Sequence, residues 1–190
     1  MPRPNWFFAF PLDGRFLLEL PDTPPSLRRF HPEDLHMTLA FLGGCREQAA
    51  ERALGVLDAE LARTSLPSFG VSLGDVVPLG GSRRHYTALS ALLVEGRAEA
   101  ARCLTELGGV LCEAALSRRP SRPAKPHVTL ARPRRRATDA DRASGLEWAS
   151  GLHLAGVRQT LNRIALYTWD AVRQERLFRI VAERKLALAC

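Results

Sequence analysis

The segment His36-Met37-Thr38-Leu39-Ala40-Phe41-Leu42-Gly43-Gly44 is typical of a short β-strand that runs into a glycine turn. Alternate residues of a strand project from the same face, so His36 and Thr38 are predicted to point together. The opposite face would carry the apolar side chains of Met37, Leu39 and Phe41. The pattern therefore predicts an imidazole and a hydroxyl presented side by side, with the apolar set packed in a core.

The same pattern recurs later in the chain. The segment His127-Val128-Thr129-Leu130-Ala131 repeats His-x-Thr-Leu-Ala, almost half the chain after the first motif. A single histidine on a strand is more often hydrogen-bonded structure than a catalyst. Two copies at this separation predict two similar halves, each contributing one strand and one His-Thr pair.

Length and composition indicate one globular domain. The chain has 190 residues, of which 46% are hydrophobic and 25% charged, and both fractions are ordinary for globular proteins. The apolar run 6–12 meets Asp13 and is too short to span a membrane, so we interpret it as a buried first strand and expect a cytoplasmic protein. The four cysteines lack metal-ligand spacing and are expected to be reduced thiols.

Basic residues exceed acidic ones and are almost all arginine. The net charge is +7, and Lys125 and Lys185 are the two lysines. Arginine suits phosphate recognition, and a basic protein favours nucleic acid. Genomic base composition explains an arginine bias equally well, so only the placement of particular arginines carries an argument.

Periodicity and turn signals predict a mixed order of strands and helices. Strands are predicted near residues 5–10, 36–42, 69–77, 84–94, 127–131, 152–157, 161–169 and 176–182, and helices at 14–20, 47–63, 97–116 and 139–149. The segment 117–126 is rich in proline and arginine and is predicted to be a basic loop leading to His127. This order indicates an α+β fold.

Two facing His-Thr pairs suit phosphoryl chemistry. One imidazole can accept a proton while the other donates one, and the hydroxyls can donate hydrogen bonds to phosphate oxygens. A metal site is a weaker interpretation because threonine two residues after histidine is a poor ligand. The sequence also lacks a nucleophile elbow and a nucleotide-binding glycine loop, which argues against a serine hydrolase and against ATP dependence.

The paired motifs, with the aromatic strand at 7–10 and the approach at 32–35, resemble the two-histidine (2H) phosphoesterase superfamily. Within it the chain is most similar to RNA 2′,3′-cyclic phosphodiesterases, also called LigT-like 2′-5′ RNA ligases. The resemblance implies a bilobal α+β fold with pseudo-two-fold symmetry, in which two antiparallel sheets flank a central cleft and helices lie outside. Residues 1–190 would form a single catalytic domain of two similar lobes, with one motif in each.

The resemblance also implies an activity and a site. The enzyme would open RNA terminal 2′,3′-cyclic phosphates, or nucleoside 2′,3′-cyclic phosphates, to 2′-phosphomonoesters, with possible 2′-5′ ligation that needs no ATP. No metal, cofactor or membrane would be involved, and the protein would be a monomer. His36 and His127 would be catalytic, with His127 activating water and His36 protonating the leaving oxygen. Thr38, Thr129 and Arg132 would bind the substrate phosphate.

Two points stay open at this stage. Strict alternation places Arg132 on the face away from His127, although Pro133 ends the strand and could let the side chain turn toward the cleft. Phe41 could stack on a nucleobase, but its alternation favours the core. The alternative function is a non-catalytic module that binds single-stranded RNA through basic loops at Arg118, Arg119, Arg122 and 134–136.

Overall fold

The computed structural model describes residues 3–118 and 123–188. Within these ranges the chain forms nine strands and three α-helices. The strands are β1 (Trp6–Pro11), β2 (Leu27–Arg29), β3 (His36–Gly43), β4 (Phe69–Leu79), β5 (Ala88–Leu93), β6 (His127–Pro133), β7 (Arg158–Leu161), β8 (Arg163–Trp169) and β9 (Phe178–Lys185). The helices are α1 (Glu47–Thr64), α2 (Arg97–Ala114) and α3 (Asp139–Ser150).

The strands form two antiparallel sheets, which confirms the predicted α+β class. The first sheet has the order β3-β1-β8-β9 and the second the order β2-β6-β5-β4-β7. The first motif lies on β3, at the edge of its sheet, and the second on β6, between β2 and β5. Each sheet combines strands from distant parts of the sequence, because β1 pairs with β8 in the first sheet and β2 pairs with β6 in the second.

Helix α2 packs against β3 and so supports the first motif from behind. Gly108 lies at this contact, and a Cβ atom there would be 2.5 Å from the Leu39 carbonyl oxygen. A glycine inside a helix usually costs about 1 kcal/mol relative to alanine. Here the missing side chain lets the helix backbone approach the strand that carries His36.

Helix α3 covers the second sheet in a similar way. Its N-terminus has a capping box in which Thr138 and Asp141 bond to each other's backbone N–H groups. Gly145 faces the fully buried Tyr86, whose hydroxyl donates to the Arg142 carbonyl oxygen at 2.9 Å. These contacts hold the helix against the face of the sheet opposite the cleft.

The largest apolar cluster packs both sheets against helices α1 and α2. A smaller cluster lies on the other face of the first sheet, around His36. It contains Phe7, Ala9, Phe30, Ala165, Tyr167, Leu177 and Phe178. Strand β1 is therefore buried on both faces of the first sheet, and the face that carries His36 is aromatic.

Several predicted elements differ from the structure. The strand predicted at 152–157 is wrong: this segment is irregular, and β7 begins at Arg158. The strand predicted from residue 84 begins at Ala88, and the short β2 was missed. The predicted helix at 14–20 is a 3₁₀ helix over Arg15–Glu19. Residues 119–122 of the predicted basic loop lie outside the described residues, and no described helix is long and apolar enough to cross a membrane.

Candidate active site

His36 opens β3 directly after a 3₁₀ turn at Pro32–Asp34. Its Nδ1 atom lies 2.5 Å from the backbone carbonyl oxygen of Asp34. A carbonyl oxygen can only accept a hydrogen bond, so Nδ1 carries the proton and donates it. In the neutral ring Nε2 is then the basic nitrogen that remains available for chemistry.

Aromatic rings enclose the His36 imidazole, which is 8% exposed. Its ring centroid lies 4.9 Å from that of Phe7, 5.4 Å from Tyr167 and 5.5 Å from Phe178. Burial lowers the pKa of His36 to about 4, against the opposing effect of the Asp34 hydrogen bond. The positive charges of Arg132 and His127 lower that pKa further. The ring is therefore neutral at pH 7 in the free protein.

Asp34 anchors this arrangement from beneath. Its buried carboxylate accepts hydrogen bonds from the backbone N–H groups of Leu177, at 2.7 Å, and Phe178, at 3.1 Å. The turn that positions His36 is thus fastened to the beginning of β9. The sequence gave no sign of this long-range contact.

His127 repeats the geometry of His36 on β6. Its Nδ1 donates to the Lys125 carbonyl oxygen at 2.7 Å, again two residues earlier in the chain. Burial lowers the pKa of His127 as well, although the side chain is only half-buried. Strands β3 and β6 contact each other, and the charge of His127 acts on His36. The two histidines are therefore close enough to interact electrostatically, on strands that contact each other.

Each motif strand contains one extra residue directly after its threonine. On β3, Thr38 pairs with Ala9 and Ala40 with Phe8, so Leu39 is the extra residue. On β6, Thr129 pairs with Ser90 and Ala131 with Leu89, so Leu130 plays the same part. These β-bulges reverse the alternation of the next side chains, up to Phe41 on β3 and Arg132 on β6. The fifth residue after each histidine consequently faces the same side as the histidine.

The bulges decide the positions of Phe41 and Arg132. The expectation that Phe41 belongs to the core is wrong, because its side chain is 53% exposed and lines a cavity beside His36. Arg132 lines the same cavity, and its guanidinium lies 5.3 Å from the Phe30 ring centroid. The two residues occupy equivalent places in their motifs, one offering an aromatic ring and the other a positive charge.

The cavity between the motifs has a volume of about 270 Å³. Its lining residues are Asn5, Phe7, His36, Thr38, Phe41, Arg132, Trp169, Arg173 and Phe178. Two arginines and no carboxylate are among them, so the cavity suits an anion. Desolvation by the surrounding protein lowers the pKa of Arg132, and the charge of Arg173 adds to this. An anion placed between the two guanidinium groups would relieve their repulsion.

The two threonines lie differently. Thr38 lines the cavity, while Thr129 is buried on β6 with its Oγ1 atom 3.2 Å from the Ser90 Oγ atom. This contact orients the Thr129 hydroxyl. Of the five predicted site residues, His36, Thr38 and Arg132 line the cavity. His127 and Thr129 belong to the strand that delivers Arg132.

Sequence reasoning missed several residues of this cavity, among them Trp169, Arg173 and Phe178. Trp169 ends β8, and the Arg173 guanidinium lies 4.2 Å from its ring centroid. Phe178 begins β9 and contacts the His36 ring. Arg173 lies between Trp169 and Phe178 in the sequence, but nothing in the sequence connected these residues to the two motifs. Within the described residues, no three His, Cys, Asp or Glu side chains are grouped so that they could hold a metal ion.

Comparison with solved structures gives near-complete matches to the whole chain. LigT of E. coli in complex with 3′-AMP matches with a TM-score of 0.64 and 22% identity, over 97% of this chain and 99% of that one. TT0787 of Thermus thermophilus matches with a TM-score of 0.67 and 22% identity, over 97% and 98%. Usb1 of Kluyveromyces marxianus matches with a TM-score of 0.53 and 14% identity, over 97% of each chain. No protein-family model and no curated protein matches the sequence.

These similarities define the fold class. The chain has the fold of LigT and of TT0787, and this is the fold that the resemblance carried by the two His-x-Thr motifs implied. Among the structures that share it, the fold is that of LigT, with two antiparallel sheets and three helices. At this level of identity the comparison establishes the fold, and the site residues supply the argument for function.

Proposed function

We propose that the protein hydrolyses the terminal 2′,3′-cyclic phosphate of RNA to a 2′-phosphomonoester, by acid–base catalysis between His36 and His127. The observation that carries this proposal is the repeated histidine geometry. In both motifs a backbone carbonyl holds Nδ1–H, so both Nε2 atoms are free for proton transfer. Two such nitrogens, with His36 lining an anion-binding cavity, suit displacement at phosphorus.

The cavity supports a nucleotide substrate. Aromatic residues and arginines both line it, and Phe41 and Trp169 expose ring surface on which a base can stack. Arg132 and Arg173 would contact the phosphate. LigT, which shares the fold, has been solved with 3′-AMP, a nucleoside monophosphate. These features together favour a nucleotide over a small inorganic anion.

The reaction can be written with its protons balanced. One neutral histidine accepts a proton at Nε2 from water, and the water oxygen bonds to phosphorus. The P–O3′ bond breaks, and the other, protonated histidine gives its Nε2 proton to O3′. The product is a 2′-phosphomonoester with a free 3′-hydroxyl. A 5′-hydroxyl in place of water would give a 2′-5′ linkage without ATP, which is the ligase reaction.

Side chains around the histidines have defined tasks in this scheme. Thr38 and Thr129 would donate their hydroxyl hydrogens to the non-bridging oxygens, and Arg132 would offset the charge that builds up in the transition state. Ser90 would keep the Thr129 hydroxyl in position. Each hydrogen-bond donor of this type is typically worth about 10²–10³ in rate.

Burial bears on which histidine is the acid. The resemblance implies His127 as base and His36 as acid. In the free protein His36 is the more deeply buried of the two, and its pKa of about 4 favours the neutral, base form. His127 is more exposed and so loses less hydration when it is protonated. The free protein thus favours the reverse assignment, with His36 as base.

The central test measures turnover of a 2′,3′-cyclic-phosphate-ended oligonucleotide in the presence of a chelator. His36→Ala and His127→Ala should each lower kcat by about 10²–10⁴, as expected for the loss of a general acid or base. The matched control is His153→Ala, because His153 is exposed and is not part of the cavity lining. Retained activity in either motif variant would refute the proposal. Tight, salt-dependent RNA binding without turnover would favour the non-catalytic module.

A second substrate separates acid from base. A 2′,3′-cyclic phosphorothiolate with sulfur at the 3′ bridge has a leaving group that needs no protonation. The variant that lacks the acid should recover activity on this substrate, while the variant that lacks the base should not. Recovery in His127→Ala would support His36 as base, and recovery in His36→Ala would support the order implied by the resemblance.

A further inference from the structure

A second cavity, of about 560 Å³, lies on the same face of the first sheet as the active site. Residues Phe7 and Pro11 of β1 show this relation, since they share a face and line the first and second cavities respectively. At about 3.3 Å per residue, these two positions are roughly 13 Å apart. The lining of the second cavity consists of Pro11, Leu12, Asp13, Gly14, Arg15, Pro32, Glu33, Arg163, Tyr167, Arg176, Arg179 and Ile180.

A buried hydroxyl group points to a ligand there. The Tyr167 side chain is fully buried, and its Oη atom makes no hydrogen bond to any described residue. Burial raises the pKa of this phenol, so it remains a hydrogen-bond donor. The charges that act on it belong to Arg163, Asp34, Arg176 and Glu183, and both arginines line the second cavity. The hydroxyl therefore lies on the side of this cavity, away from Arg132.

Positively charged side chains outnumber negatively charged ones in the lining of the second cavity. Four arginines line the cavity against two carboxylates. The Arg176 guanidinium pairs with the Glu33 carboxylate through Nη1, but its buried Nε atom, 3.9 Å from the Asp34 carboxylate, makes no hydrogen bond among the described residues. Arg163 is only loosely paired, at 3.7 Å from the Glu183 carboxylate. The buried phenol hydroxyl, the Arg176 Nε–H group and the loosely paired Arg163 guanidinium form a site for an anion that accepts two or three hydrogen bonds, such as a phosphate group.

A strand of nucleic acid is the ligand that joins two phosphate sites on one face. The aromatic rings of Phe7, Tyr167 and Phe178 lie between the cavities and contact His36. A single cyclic nucleotide would occupy only the cavity beside the histidines. A longer substrate has further phosphates that must pass over the sheet, and the second cavity offers donors for one of them.

We propose that the second cavity binds a backbone phosphate of the RNA chain upstream of the cyclic end, with Tyr167 Oη, Arg163 and Arg176 as donors. This inference rests on the proposed function and names the substrate class that the site prefers: an oligonucleotide over a mononucleotide. A free phosphate ion has the same chemistry as a bound backbone phosphate. The experiment therefore needs arms that separate the two.

The test compares kcat/KM for a nucleoside 2′,3′-cyclic phosphate and for a trinucleotide with the same cyclic end. Arg163→Gln should lower the trinucleotide value about tenfold, the lower end for a hydrogen bond to a charged group, and leave the mononucleotide value unchanged. Tyr167→Phe, which keeps the ring, should also affect the trinucleotide more. The control is Arg158→Gln, an equal loss of charge at an exposed arginine outside both cavities.

Salt dependence gives a second reading of the same contact. The logarithm of the association constant for the trinucleotide falls linearly with the logarithm of the salt concentration. Loss of one phosphate contact to a single strand in Arg163→Gln should reduce the magnitude of this slope by about 0.7. Equal effects on both substrates, or no effect on either, would overturn the inference. It would also fail if Arg163→Gln abolished inhibition by inorganic phosphate while leaving both substrates unaffected, because the cavity would then hold free phosphate.

Failure of the proposed function remains distinguishable. If the unmodified protein turns over neither substrate, the cyclic phosphodiesterase proposal falls. Fluorescence anisotropy with the labelled trinucleotide then tests the cavity alone. Weaker binding in Arg163→Gln but not in Arg158→Gln would still support the phosphate site, and equal binding in both would overturn it.

Discussion

Acidification from pH 7 to pH 4 should destabilise the folded protein through His36. The imidazole is 8% exposed, and burial among aromatic rings lowers its pKa to about 4. In the unfolded chain the pKa of histidine returns to about 6.5. Between these values the unfolded chain binds a proton that the folded protein does not. The free energy of unfolding therefore falls as the pH falls from about 6.5 to about 4, and His36 adds nothing further below that range.

The size of the effect follows from the two pKa values. A difference of about 2.5 corresponds to roughly 3 kcal/mol, at about 1.36 kcal/mol for each pH unit. A typical domain is stable by only about 5–15 kcal/mol, so one buried imidazole controls a large share of the acid sensitivity. No discount for solvent screening applies, because the ring is almost completely covered.

Urea unfolding at pH 7 and pH 4 measures this contribution. His36→Gln should lose about 3 kcal/mol less than the unmodified protein between the two pH values, since glutamine does not titrate. His153→Gln should behave like the unmodified protein, because His153 is exposed. NMR titration of the His36 ring supplies a direct reading. A midpoint near 6.5, or equal acid losses in all three proteins, would refute the reasoning.

Two further predictions concern the support of the site. Asp34→Asn should lower the free energy of unfolding by about 2 kcal/mol and weaken catalysis, because two backbone N–H groups at the start of β9 lose a charged acceptor. Urea unfolding checks this, and unchanged stability would contradict it. Gly145→Ala should destabilise by about 1–3 kcal/mol, since its Cβ would be 2.3 Å from the buried Tyr86 hydroxyl. Gly55→Ala, with no atom within 4 Å, should instead stabilise helix α1 by up to about 1 kcal/mol.

The parts of the fold that were predictable rest on local patterns. Helices α1, α2 and α3 follow from apolar residues at helical spacing, and their bounds agree with the prediction to within two residues. The arrangement of sheets was not readable from such patterns. Strand β1 pairs with β3 and β8, and the last pairing partner lies more than 150 residues away. Turn signals and periodicity carry no information about partners at that distance.

The candidate site shows the same division. His36 and Thr38 were correctly placed on one face because they precede the bulge. Phe41 was misplaced because strict alternation was applied across an extra residue that the sequence does not mark. Arg132 was placed in the cleft by resemblance, with a turn at Pro133 as the suggested cause. The structure gives a different cause, since Leu130 reverses the alternation before the strand ends.

The extra leucine in each motif strand also divides the motif into a part before the bulge and a part after it, and each part must direct its own side chains toward the cleft. From the histidine to the threonine, alternate side chains face the cleft. The extra leucine then shifts this alternation by one residue, so that Phe41 on β3 and Arg132 on β6 face the cleft as well. On a regular strand, a copy of His-x-Thr would still direct the histidine and the threonine toward the cleft. The fifth residue after the histidine, however, would face the interior. Any transfer of this chemistry to another protein must therefore carry six consecutive residues together with their irregular pairing, because the shorter motif alone cannot present the third functional group.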